Sequence, residues 1–194
     1  SWAALPARTG QKPDLLAMRQ TDMQGMLFHQ ATLVAYMFGQ FGDTLAATDA
    51  HVAYRADSPY LGHGVWMIAD ASIRQKDWAG LARRMKAMMD AGNISVSPQA
   101  ELLGHFCTGS IEYGRELATQ GKTADAMAAL AQAGKDCTPD EDKAGEAFYR
   151  LGEVAEAAGQ FDKAREAFGR VLNDFRKSRF QSMASRGFGR VKNK

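Results

Sequence analysis

Phe148-x-x-Leu151-Gly152-x-x-Ala155-x-x-x-Gly159-x-Phe161-x-x-Ala164-x-x-x-Phe168 is the stretch on which the fold turns. Apolar and small residues recur at three- and four-residue spacing on either side of Gly159, the period of one face of an α-helix. Gly159 ends the first helix by accepting a left-handed backbone. Gly152 and Ala164 are small, so the two helices can approach closely, while Phe148, Leu151, Phe161 and Phe168 fill the space around that contact. The stretch therefore reads as an antiparallel helical hairpin.

The rest of the chain supports an all-α fold. Alanine occurs 33 times among 194 residues, and strand formers never gather into alternating runs bounded by turn residues. Pro59, Pro98 and Pro139 each follow a Ser or Thr that can cap a helix, which leaves proline at the first helical residue. Thr138-Pro139-Asp140-Glu141 has the form of a capping box, with Thr138 and Glu141 each satisfying one orphan donor. A hydrophobic content of 45% and a charged content of 24% exclude a disordered chain. No apolar run approaches the ~18 residues of a membrane helix. The length predicts one domain.

The quoted stretch resembles the tetratricopeptide repeat, a helix-turn-helix unit of about 34 residues marked by an aromatic, Leu-Gly, a later Ala and a second aromatic. Sliding its turn-plus-alanine element along the chain gives three further copies. Gly42-Asp43 to Ala47 implies a unit starting near 28, with Ala35 in the small slot. Lys76-Asp77-Trp78 implies one near 62, with Leu81 in the alanine slot, and Gly121 to Ala126 one near 107. With the unit near 145, the resemblance implies a right-handed α-solenoid of about four hairpins. Phe180, Met183, Ala184, Phe188 and Val191 then form a C-terminal capping helix near 178–191. Residues 1–13 read as a flexible lead and residues 14–194 as one superhelical domain. Ala56-Asp57-Ser58-Pro59-Tyr60 and the segment from Val171 to Phe180 also resemble the unit joins of bacterial envelope tetratricopeptide proteins. The Tol-Pal cell-division coordinator and the lipoprotein of the outer-membrane barrel-assembly machine are of that type.

Cys107 and Cys137 fall at the first and thirty-first positions of one unit, side by side at the open end of its hairpin. They are either a disulfide, which would imply an oxidising compartment such as a periplasm, or two separate buried thiols compatible with a cytoplasmic protein.

No enzymatic chemistry emerges. His29, His51, His63 and His105 form no metal-ligand spacing, although His29 and His63 share a position in the repeat register. Gly121-Lys122-Thr123 lacks the earlier glycine and the preceding strand of a phosphate loop. No cofactor is expected. The resemblance instead implies a groove lined by first helices that holds a protein or peptide partner. Its groove positions correspond to Tyr36, Trp66, Asp70, Ile73, Arg74, Ile111, Arg115, Tyr149, Glu153 and Glu156. Aromatic and arginine anchors dominate protein interfaces.

The formal net charge of +2 argues against a specific nucleic-acid partner but conceals an asymmetry. Arg176, Lys177, Arg179, Arg186, Arg190, Lys192 and Lys194 form a basic tail without an acidic residue. The expected function is thus a scaffold for protein interaction in envelope assembly. The alternatives are a homo-oligomer whose basic tail docks on an acidic groove, and an adaptor recruiting an acidic polymer or membrane surface.

Overall fold

Four turns of one shape set the frame of the molecule. Their second-helix caps Gln40, Asp77, Lys122 and Gln160 share φ near −83 to −87° and ψ of 61 to 66°. Each is preceded by a left-handed residue: Gly39 (φ 71°), Lys76 (φ 54°), Gly121 (φ 76°) and Gly159 (φ 70°). A left-handed residue satisfies orphan carbonyls as one helix stops, and glycine adopts it without a Cβ clash. Lys76 does so as the one non-glycine with positive φ among the described residues.

The computed structural model describes residues 15–92 and 99–194, and those residues form ten α-helices and no strand. In chain order the helices are α1 (Leu15–Met37), α2 (Phe41–Arg55), α3 (Pro59–His63), α4 (Val65–Gln75), α5 (Trp78–Asp90), α6 (Gln99–Thr119), α7 (Thr123–Asp136), α8 (Glu141–Ala157), α9 (Phe161–Asp174) and α10 (Gln181–Val191). The hairpins α1/α2, α4/α5, α6/α7 and α8/α9 stack in sequence, and α10 packs on α9 and α8. This is the all-α solenoid expected. The lead at 1–13 and the helix start at Pro98 lie outside the described residues.

Two local expectations are corrected, and the structure adds one feature. In the first unit the turn glycine is Gly39, whereas Gly42 lies inside α2, so the register starts three residues earlier, at Gly25 rather than 28. Thr32, not Ala35, then matches Gly152, and Thr44, not Ala47, matches Ala164. His29 and His63 no longer share a position. At α8 the cap is Asp140, whose carboxylate accepts from the backbone N–H of Asp142 and Lys143, while the Thr138 hydroxyl donates back to Lys135 O. Asp140 wins because its carboxylate reaches two orphan donors next to the positive helix end. Finally, α3 and the bend at Gly64 interrupt the first helix of the second unit.

Close approach follows the small-opposite-large rule. A Cβ at Gly152 or at Gly187 would overlap the Phe168 ring, which lies between α8 and α10 with no exposed surface. A Cβ at Gly114 would sit 2.6 Å from Leu130, and one at Gly109 would sit 2.8 Å from the backbone of Ala82. The first unit inverts this chemistry with buried Thr32, Thr44 and Thr48, each hydroxyl donating to the carbonyl four residues earlier. The hydroxyls are thereby satisfied without a partner on the facing helix.

Cys107 on α6 and Cys137 at the end of α7 are bridged, fully buried, with Cα atoms 5.9 Å apart. In the next unit the matching positions, Gly145 and Phe175, meet by packing alone. Closing a loop with a sequence separation of 30 stabilises the chain by about 3–4 kcal/mol on the chain-entropy model. Replacing both cysteines by serine is accordingly expected to lower the unfolding free energy by about that amount, read as a fall in urea midpoint.

Candidate protein-binding surface

The predicted groove residues divide into an open cluster and a closed one. The open cluster joins the last turn of α1 to α4. Tyr36 packs edge-on against Trp66, with ring centroids 5.2 Å apart, and donates its hydroxyl to Asp70 Oδ2 at 2.8 Å. Arg74, one turn further along α4, donates its Nε to the same oxygen at 2.6 Å and lies 5.1 Å from the centre of the Phe41 ring. Phe41 in turn packs edge-on against Tyr36 at 5.8 Å. The Arg74 and Tyr36 hydrogen bonds hold the Asp70 carboxyl below its ordinary pKa, and the Asp70 carboxylate pushes the Tyr36 hydroxyl above its own. Trp66 remains 55% exposed and Ile73 43% exposed beside this network. Two apolar surfaces and an arginine are therefore presented on residues whose neighbours are already hydrogen-bonded.

The other first helices do not form such a surface. Ile111 is 1% exposed and packs with Leu130, Ala133 and Ala147, so it belongs to the core rather than to a binding face. Tyr149 is also buried. Its ring lies against Phe168 and Phe180 and its hydroxyl donates to Glu153 Oε1 at 2.7 Å, while burial and that bond raise its pKa. Arg115 is exposed but pairs with Glu112 on its own helix.

The basic tail turns back on this region. Arg190 grips Glu156 through Nε at 2.9 Å and Nη2 at 2.7 Å, which lowers the Glu156 pKa. Arg179 pairs with Asp142 and Glu146, and the Lys194 ammonium sits 5.2 Å over Phe161. Arg176, Lys177, Arg186 and Lys192 remain on the surface. An acidic groove awaiting a free basic tail is thus not what the fold presents: Glu156 is already paired within the chain, because α10 folds onto α8.

Two features behind the open cluster escaped the sequence reading. Phe41 was hidden by the three-residue register error, and aligning Gly39 with Gly159 matches it to Phe161. The other is Arg84, which is 3% exposed and links three elements. Its Nε and Nη2 donate to Asp49 on α2 at 2.7 and 2.9 Å, and its Nη1 donates to Asp77 at the α4–α5 turn at 2.7 Å. Burial opposes the Arg84 charge, but the bonds from Asp49 and Asp77 outweigh it and raise its pKa. The clamp locks the first hairpin onto the second and so fixes α1 against α4. The repeat-length spacing of Asp49 and Arg84 is the signal that could have found it.

A second internal contact fixes α1 against α2. His51 is 1% exposed, stacks on Phe28 at 5.5 Å and shares a 2.9 Å hydrogen bond with Ser58. Burial, followed by the proximity of His29, lowers its pKa to about 4. Among the described residues no three His, Cys, Asp or Glu side chains converge as metal ligands, and no helix is long and apolar enough to cross a membrane.

Residues 117–186 match the family model described as tetratricopeptide repeat. That segment is similar to tetratricopeptide repeat sequence. It runs from the end of α6 through α10, so it contains the third turn, the whole fourth hairpin and the helix packed upon it. No curated protein and no solved structure matches the chain. Tetratricopeptide repeats generally mediate protein–protein interaction, and proteins built from them are typically non-enzymatic scaffolds. The open α1–α4 cluster lies outside the matched tetratricopeptide segment, on hairpins that repeat its turn geometry.

The buried histidine makes stability pH-dependent. The unfolded chain binds a proton at His51 near pH 6.5, whereas the folded chain resists it until about pH 4. Stability from this group is therefore full above pH 6.5 and is lost as pH falls through that window, by on the order of 3 kcal/mol in all. Urea midpoints measured between pH 7 and pH 4 should fall for the wild type and fall less for His51→Gln.

Proposed function

We propose that the protein is a non-enzymatic scaffold that holds a peptide or protein partner on the surface made by α1 and α4, during assembly of a bacterial envelope complex. One observation carries the reading: Trp66 and Ile73 stand exposed beside Tyr36, Asp70 and Arg74, whose mutual hydrogen bonds fix them before any partner arrives. A surface ordered in advance avoids the cost of immobilising side chains on binding. Its chemistry suits an apolar anchor laid on Trp66 with a carboxylate near the remaining Arg74 N–H groups.

The envelope assignment is supported by the buried Cys107–Cys137 bridge, since such bonds persist in oxidising compartments. It is further supported by the unit joins that resemble those of envelope tetratricopeptide proteins. The two alternatives that use the basic tail have less support, because Arg179 and Arg190 already neutralise acidic residues of α8.

Partners captured from periplasmic and cytoplasmic extracts by wild-type protein are the first measurement. Trp66→Ala and Arg74→Ala are each expected to weaken the captured interaction at least tenfold, equivalent to about 1.4 kcal/mol, with the circular dichroism unchanged. Equal capture by both variants would overturn the reading of this surface. Capture confined to the cytoplasmic extract would overturn its location.

A further inference from the structure

Helix α1 is apolar on both sides. Gly25, Phe28, Thr32 and Ala35 face the rest of the molecule, while Met23, Met26, Leu27, Val34, Met37 and the following Phe38 are between 41% and 78% exposed. These residues, with Gln30, follow a stripe of three- and four-residue steps along the outer face. A helix that is hydrophobic all round belongs inside an assembly rather than at its surface. No Asp, Glu, Lys or Arg occurs from Met23 to Gly42, so no charge is available there to select a charged partner or to repel an identical one.

The stripe is also largely symmetric in chemistry about Gln30. Met23 and Met37 lie seven residues to either side and Met26 and Val34 lie four, while Leu27 is matched at three by the half-buried Leu33 and only the end residue Phe38 has no apolar counterpart. Such a pattern sets like against like when the second helix runs antiparallel, the arrangement produced by a two-fold axis that crosses the helix. From this we infer that α1 is the dimerisation helix of the protein, pairing antiparallel with α1 of a second copy across an axis at Gln30.

In that arrangement Met23 of one copy meets Met37 of the other, and Met26 meets Val34. The two Gln30 amides bond to each other, which fixes register in the way a polar residue does in a coiled-coil seam. The methionines fill gaps in a seam that lacks β-branched uniformity. Six side chains exposing on the order of 100 Å² each give roughly 1,200 Å² for the pair, the lower bound of a stable interface. The surface of α1 used here is opposite its α2-facing side, and the inference does not depend on the binding role of Trp66.

Light scattering over a concentration series tests it with the whole chain. The expected mass is twice 21.1 kDa, unchanged or tightened by 0.5 M NaCl. Leu27→Asp with Val34→Asp should weaken association at least a hundredfold while leaving the helical signal intact, since both side chains are exposed. Gln30→Cys should form a disulfide-linked dimer on oxidation, whereas Gln120→Cys, on the distant third turn, should not. A monomer at all concentrations overturns the inference, as does a monomer that dimerises only after removal of residues 1–13, which would mean that the chain covers its own face. A dimer that dissociates in salt, that survives both aspartates, or that crosslinks through Met37→Cys but not Gln30→Cys overturns it equally.

Discussion

The structure depends on the contact between a residue without bulk on the first helix of a unit and a large side chain reaching over it from the second. Gly114 under Leu130 and Gly152 under Phe168 are the plain cases, and Gly187 extends the same contact into α10. Dispersion falls steeply with distance, so helices this close gain contacts that a single added methyl would forfeit through overlap. Each hairpin also has a second apolar side, which only the next hairpin covers. Stability is thus passed from neighbour to neighbour rather than held in one central core.

Polar links across the stack recur at one repeat length. Tyr36 meets Asp70, Asp49 meets Arg83 and Arg84, and Glu156 meets Arg190, each pair 34 or 35 residues apart. A solenoid places equivalent residues of successive units side by side, so a favourable pair at that spacing cross-links units without long loops. The energetic weight is uneven. Exposed pairs such as Arg190 with Glu156 contribute little each, whereas removing one partner from buried Arg84 would strand a charge.

The fourth hairpin was fully legible because its small, aromatic and turn residues agree with one another. The first was misaligned by three residues because two glycines, Gly39 and Gly42, compete for the turn, and only Gly39 carries positive φ. Threonines occupy its small slots and blurred the pattern further. Among the groove positions, Tyr36, Trp66, Asp70, Ile73 and Arg74 came together as a surface. Ile111 and Tyr149 did not, since the same register position faces outward on α4 but inward on α6 and α8, where the following helices pack closer.

Sequence alone determined the helical class, three of the four hairpin turns and the pairing of Cys107 with Cys137 as one of two outcomes, because periodicity and spacing act locally along the chain. Tertiary structure decided which first-helix residues remain accessible, where the basic tail is neutralised and that α1 carries an uncovered apolar side. Those properties depend on how far each helix is overlapped by its neighbours, a distance set by packing between units and written in no single segment.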